Sequence, residues 1–592
     1  MNHPRPNPRG GRLRAACDLC RSKKIKCDGE KPACETCRLA GAECIISLPD
    51  PLAKKPALKA QLVEAQSRVR ELEELAKAPL PGIGIHIRDP TDFDAAMEIF
   101  RWHLACTGPL LPTSLRGEAL LSTVYARTGR TFVLDSFAAE VRNEYQEKHS
   151  TRPSRSLRPK WPDIELTQKS IDHYANQNLY SVFPMAEPGR LQTLLEAYTC
   201  NALDERNRTV ARAFLVAFTA FMTQIHRHLP AFAEAEPDCY ILAALSLLPH
   251  LILEPRSIEA LQAVMIMAHY ITPTGQTESG QLLLGVAVRM LYNLGAHRII
   301  PLAGNAEQHV HLRALFWGCY AMDKEMSIRS AQPPLINDED CDLDLPPNYI
   351  PSASTQQFLD QPLSGDVLIY PSDLRFSLLK SKIYTLLLSP TAQTLPEHRK
   401  LESIRVLDEH LAELKASFSI HFQPDPVAYL RPDYKVHDLG LRGMNIHLEY
   451  YYCLRVIHEA SIASSMAYPG TEIVGRLEPL ASSVELYYHA VRSTLLYFIR
   501  VEGLIQAPTV WIHAQFILSS ATALFWNMIH NPVAETFHSD LQLLGQMQAV
   551  FTRLCENCWA GAPLPPLFIF EAFLAMLVGL AREALARGTL AS

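Results

Sequence analysis

The chain has 592 residues, 48% of them apolar, with a formal net charge of −6 and a mean hydropathy of −0.01. It is too long for one ordinary domain and too apolar for a disordered chain. No uninterrupted apolar run reaches the roughly eighteen residues that span a bilayer; the nearest, Leu567 to Ala581, is broken by Glu571, so no membrane partner is expected.

Charge is unevenly spread. Residues 1–60 carry thirteen Lys and Arg against six Asp and Glu, a formal +7, which leaves −13 for residues 61–592. That asymmetry marks a nucleic-acid-binding end on an otherwise acidic chain. Residues 1–16 open as MNHPRPNPRGG and place Arg5, Arg9, Arg12 and Arg14 ahead of the first cysteine. They read as a disordered basic arm lying near DNA and suited to nuclear import. No apolar signal segment is present in them, so the disulfides of a secreted chain are not expected.

Residues 17–44 read CDLCRSKKIKCDGEKPACETCRLAGAEC. Cys17, Cys20 and Cys27 are echoed seventeen residues later by Cys34, Cys37 and Cys44, each triplet spaced C-x2-C-x6-C. Neither half offers the four ligands of a closed tetrahedral zinc site. Two zinc ions need eight ligand positions, and six thiolates supply eight only if two of them bridge. A single four-cysteine site would strand Cys27 and Cys44 at matching offsets, so the count predicts a binuclear cluster holding two zinc ions per chain. Between Cys20 and Cys27 lie Arg21, Lys23, Lys24 and Lys26. A short helix starting near Asp18 is expected to carry these cations away from the metals. A basic run alone is usually a solvated face, but one set inside a metal loop points to double-stranded DNA.

This stretch resembles the fungal binuclear zinc cluster DNA-binding domain, Zn2Cys6, and fits its spacing without a gap. The resemblance implies that Cys17 and Cys34 bridge the metals, that Cys20 and Cys27 complete one zinc, and that Cys37 and Cys44 complete the other. It also implies recognition of CGG triplets in the major groove through Lys23 and Lys24; lysine suits guanine because O6 and N7 are both acceptors. Arg21 and Lys26 are then expected on phosphates, where contacts position without specifying. Pro32 fits the loop joining the halves. Gly41 fits the left-handed position that ends the second short helix.

After a linker at 48–56, broken by Pro49, Pro51 and Pro56, residues 57–78 place Leu58, Leu62, Ala65, Val69, Leu72 and Ala76 at alternating gaps of four and three. That is the seam of a short coiled coil, expected to make a homodimer; the alternative is an amphipathic helix packed on the main domain. A second linker covers 79–92, where Gly82-x-Gly84 lacks the rest of a dinucleotide loop.

From 93 to 592 helix follows helix. Stretches such as TVARAFLVAFTAFMTQIH, SIEALQAVMIMAHYI, HLRALFWGCYAMDKEMSIR and VWIHAQFILSSATALFWNMIH carry apolar residues at helical spacing, and almost none alternates as a strand would. The expected fold class is therefore mostly α: a small N-terminal binuclear zinc cluster module at 17–47, a short coiled-coil helix, then a large all-helical regulatory domain. Within it, Leu294, Gly295, His297 and Arg298, and the stretch from Arg313 and Trp317 through Asp323 to Pro346, resemble the fungal-specific transcription factor regulatory domain. Tyr174 to Glu187 resembles its entry, which makes 174–347 the best-matching part. Where relatives often show Gly-Arg-Pro-Pro, this chain has Ala331-Gln332-Pro333-Pro334.

Enzyme signatures are missing: no P-loop, G-x-S-x-G elbow or H-E-x-x-H occurs, and no catalytic residue is assigned. His226 with His228, and His309 with His311, are expected at the surface or at helix caps. Tyr450-Tyr451-Tyr452 is expected in the core. Taken together the residues predict a nuclear, zinc-dependent, sequence-specific transcription regulator, an activator with co-regulators as further partners, acting on nutrient use or a biosynthetic gene cluster. Two alternatives are a helical metabolite-binding protein or enzyme with an accessory zinc module, and a zinc-scaffolded interaction protein that reads no bases.

Overall fold

The computed structural model describes residues 16–47, 93–107, 118–148, 157–300, 306–347, 349, 367–418, 423–431, 441–466, 477–505, 511–556 and 564–591. The basic arm before residue 16, both linkers and the 57–78 helix lie outside the described residues. The chain divides into two compact units, 1–84 and 85–592.

The first unit holds two five-residue helices, α1 (Asp18–Ser22) and α2 (Glu35–Leu39). The second is built from α3 (Phe93–Ala105), α4 (Glu118–Thr128), α5 (Leu134–Lys148), α6 (Ile164–Asn176), α7 (Pro188–Thr199), α8 (Glu205–Ile225), α9 (Pro237–Leu245) and α10 (Leu248–Ile252). There follow α11 (Ile258–Ile271), α12 (Thr277–Leu294), α13 (Ala306–Ser330), α14 (Leu374–Ile383), α15 (Pro390–Gln393), α16 (Glu397–Ala416) and α17 (Pro426–Tyr429). The last are α18 (Leu441–Met466), α19 (Leu477–Arg500), α20 (Trp511–His530), α21 (Phe537–Glu556) and α22 (Pro565–Ala591). The described residues contain no strand, only an isolated bridge between Tyr349 and Leu368, as the missing period-two pattern predicts.

Local chemistry starts and stops these helices. Asp163, Asp204 and Ser257 accept the backbone N–H of Leu166, Asn207 and Ala260 and so cap α6, α8 and α11. Gly295 closes α12 in the left-handed conformation, φ 73°. α8 and α11 bury nearly every side chain from Val210 to Thr223 and from Ile258 to Ile271; an all-round apolar helix belongs in the middle of a core. α5 buries only Phe137, Ala138 and Val141 and sits at the periphery.

Packing gathers the second unit into three hydrophobic clusters. One centres on α8 and α11, with Phe218, Met265 and Trp317 among its members. A second joins α3 and α5 to α20–α22 through Phe100, Phe137 and Phe573, so the first helices of the unit rest on its last. A third links α14, α16 and α18. Tyr450, Tyr451 and Tyr452 fall in this third cluster, in the core as their spacing predicts. α22 is likewise core, and no described helix is long and apolar enough to cross a membrane. The expectation for His309 and His311 needs correcting: both are buried. His309 bonds the Arg298 carbonyl, while His311 bonds Tyr180 and Gln262. These are separate partners on separate sides of the helix.

Candidate metal centre and nucleic-acid interface

The seventeen-residue repeat in sequence is a repeat in structure. Cys17 and Cys34 precede α1 and α2 with nearly equal backbone angles, φ −64° and ψ 160° against φ −64° and ψ 156°. Each helix ends alike. Lys24 (φ 52°) and Gly41 (φ 61°) both take the left-handed conformation, and the next amides, of Ile25 and Ala42, reach back to the Cys20 and Cys37 carbonyls at 3.0 Å. Lys31–Pro32 is a cis peptide in the connecting loop.

This geometry brings all six predicted cysteines together. Sγ of Cys17 lies 3.6 Å from Cys34 and 3.6 Å from Cys37, and Sγ of Cys20 lies 3.7 Å from Cys34. Zinc–thiolate bonds of about 2.3 Å place the corners of a tetrahedron about 3.8 Å apart, so these separations fit tetrahedral edges. Two four-ligand groups form, Cys17–Cys20–Cys27–Cys34 and Cys17–Cys34–Cys37–Cys44. Cys17 and Cys34 belong to both. The donor set therefore fits zinc at two adjacent positions with a shared edge.

Electrostatics favour a cation there. Burial pushes the Cys20 thiol up to about 12 and raises Cys37 as well, whereas a backbone amide hydrogen bond from Cys20 holds Cys17 down at about 6. Clustered thiolates become tenable when a bound metal supplies the opposing charge. Two carboxylates brace the frame. Asp18 accepts the Ser47 hydroxyl at 2.5 Å and its own amide donates to the Ile45 carbonyl, tying the end of the module onto α1. Asp28 accepts the backbone N–H of Glu35 and of Glu30, which hold its carboxyl below the usual range. Neither was singled out from sequence, although both directly follow a cysteine.

Arg21, Lys23, Lys24 and Lys26 are all exposed. The expectation that one helix carries them needs correction: α1 ends at Ser22, so of the four only Arg21 is helical. Lys23 caps the helix, and Lys24 stands on the left-handed turn that the second half gives to glycine.

In the helical unit the residues of the second motif are structural. Arg313 donates to the Ala296, Asp342 and Asp344 carbonyls. Asp323 accepts the amides of Leu335 and Ile336. The acidic stretch 337–344 is held as a turn, with Asp338 accepting the Tyr320 hydroxyl. Ala331 has φ 55°, so the departure from Gly-Arg-Pro-Pro falls on a position whose backbone favours glycine.

Comparison with known proteins agrees with this geometry. Residues 15–52 match the family described as the fungal Zn(2)-Cys(6) binuclear cluster domain, and residues 210–415 match the fungal specific transcription factor domain. The second match begins after the 174–187 segment and runs beyond 347, to the end of α16. An ABC-transporter-regulating transcription factor of Aspergillus oryzae is 22% identical over 92% of this chain and 71% of its own length. The transcriptional activator protein acu-15 of Neurospora crassa is 22% identical over 78% of this chain and 53% of its own. The regulatory protein CAT8 of Saccharomyces cerevisiae is 48% identical over 62 residues, 10% of this chain and 4% of its own. The matched domains and these relatives are those of transcription regulators and not of enzymes. With a zinc-binding, DNA-binding cluster domain and a regulatory domain on one polypeptide, the chain is a fungal Zn2Cys6 transcription factor.

Proposed function

We propose that the chain binds two zinc ions and, through them, reads CGG triplets in double-stranded DNA as a nuclear transcriptional activator. The observation that carries this is the pair of cysteine groups sharing Cys17 and Cys34, with exposed cations immediately after α1. In this reading Lys23 and Lys24, on the turn, donate to guanine edges, and Arg21 and Lys26 contact phosphates. Two copies pair through 57–78, with Leu62 and Leu72 as the main contacts, so two modules address two triplets. Relatives named for regulating an ABC transporter and for an abscisic acid cluster support target genes that handle small molecules, whether for nutrient use or for biosynthesis.

The test is selection of the full-length protein on a pool of random duplexes. Enrichment of paired CGG triplets, abolished by a zinc chelator, is the expected result. Recovery of duplexes without CGG, or binding of all sequences alike, overturns base reading.

A further inference from the structure

The two halves of the zinc module close on each other through matching contacts. Asp28, directly after the third cysteine of the first half, accepts the amide of Glu35 on its Oδ2 at 3.0 Å. Glu35 is the first residue of α2. The counterpart of Asp28 seventeen residues on is Ile45, whose carbonyl accepts the amide of Asp18, the first residue of α1, at 2.9 Å. The exit of each half is therefore seated on the helix of the other.

The repeat breaks at the next contact. The Asp18 carboxylate accepts the Ser47 hydroxyl at 2.5 Å and the Ser47 amide at 3.3 Å. The positions equivalent to this pair are Glu35 and Glu30, two carboxylates that cannot hydrogen-bond each other when ionised. The first half has no need of such a contact, because its exit runs on to Cys34, a member of both ligand groups. The second half has no such anchor ahead of it: after Cys44 the next cysteine is Cys106. Contact with Asp18 stands where a metal ligand would otherwise hold the chain.

The place of this contact ties it to the cations. α1 has five residues and is about 7.5 Å long. Arg21 lies on it, Lys23 and Lys24 follow it directly, and all three are exposed. A chain fastened to Asp18 leaves the module in a direction fixed relative to those cations. Pro49, Pro51 and Pro56 come next, and each ring fixes its own φ.

We propose that Asp18 and Ser47 are a positioning pair that narrows the spacing between the two triplets a dimer binds. Neither side chain touches DNA. The pair orients the linker where it leaves the module, and that orientation limits how far apart the two modules can stand. The inference rests on the paired-triplet reading above.

The test uses the full-length zinc-loaded parent with Ser47→Ala, Ser47→Thr and Asp18→Ala. Each is selected on duplexes that carry two CGG triplets in every relative orientation, with spacers of graded length. The parent is expected to enrich one dominant spacer. Asp18→Ala removes every contact to the carboxylate and should lower the ratio of the dominant spacer to its neighbours by about tenfold, the worth of hydrogen bonds to one charged group. Ser47→Ala loses the hydroxyl alone and should lower the ratio less. Ser47→Thr keeps a hydroxyl and should match the parent. Zinc content should stay unchanged, and affinity for a single triplet should not fall. Loss of a negative charge near DNA would instead strengthen binding at all spacers alike and leave the ratio unaltered. An Asp18→Ala spacer profile like the parent's, or a flattened profile that comes with loss of zinc or of single-triplet binding, overturns the positioning role alone. A parent that enriches no paired triplet overturns the reading above and this inference with it.

Discussion

Replacing Lys380 by methionine tests the electrostatics of the regulatory unit. The lysine is 2% exposed, donates to Glu449 at 2.7 Å and also bonds Glu325. Burial alone would push its ammonium down; the two carboxylates overcome this and hold it up. Methionine keeps the volume and removes the charge, leaving Glu449 buried without its cation. Removing one partner of a buried pair costs about 3–5 kcal/mol, because the remaining charge keeps its desolvation penalty. Glu325 retains Arg329, so Lys380→Met combined with Glu449→Gln should recover much of the loss and leave roughly 1–3 kcal/mol, the cost of an imperfectly paired polar group.

The pH dependence carries a sign. Burial raises the Glu325 carboxyl, but Arg329 and Lys380 outweigh it and hold it at about 2, below its unfolded value of about 4.3. Its stabilisation is present above that unfolded value and is lost as pH falls toward 2. In the Lys380→Met chain Glu449 gains from protonation, so the gap between the two proteins should be widest near pH 7 and narrow on acidification. Urea titration followed by circular dichroism at several pH values measures this. A Lys380→Met protein within about 1 kcal/mol of the parent at pH 7, or a gap that widens with acid, would refute the reasoning.

Other consequences are open to measurement. Lys23→Ala or Lys24→Ala should reduce preference for CGG over other triplets by about 1–3 kcal/mol, whereas Arg21→Ala should weaken all duplexes alike and lower the salt slope by about one; filter binding against salt separates them, and CGG preference that survives both lysine changes assigns base reading elsewhere. Ala331→Gly should stabilise the regulatory unit by roughly 0.5–1 kcal/mol because φ 55° strains alanine and not glycine, and a lower urea midpoint would contradict this. Leu62→Asp with Leu72→Asp should leave zinc content and single-triplet affinity unchanged while sedimentation shifts from dimer to monomer. A protein that stays dimeric would place the pairing surface elsewhere.

How much was legible in the sequence depended on range. The zinc module was legible because its information is local: twenty-eight residues hold every ligand, and the seventeen-residue offset becomes two superimposable turns. The helices that hold TVARAFLVAFTAFMTQIH and SIEALQAVMIMAHYI followed from apolar spacing, whereas their caps, Asp204 and Ser257, emerged only with the structure. What spacing could not convey was where a five-residue helix stops, which moved Lys23 and Lys24 from a helix onto a turn. The contact of α3–α5 with α22 joins residues more than 400 positions apart, and no local pattern records it. The buried charge group was invisible for the same reason: Lys380, Glu325 and Glu449 are ordinary in isolation and come together only in the fold. The Ala331 departure was visible as a letter, but its backbone meaning appeared only with the angle.

The central claim is that two metals share Cys17 and Cys34, and a zinc count on purified full-length variants tests it most directly. The parent should hold two zinc ions per chain. Cys44→Ala removes a ligand from one group only and should retain one zinc, as should Cys27→Ala for the other group. Cys34→Ala breaks the shared edge and should lose both, together with DNA binding. One zinc per parent chain, or a Cys34→Ala protein that keeps as much metal as Cys44→Ala, would contradict the shared cluster.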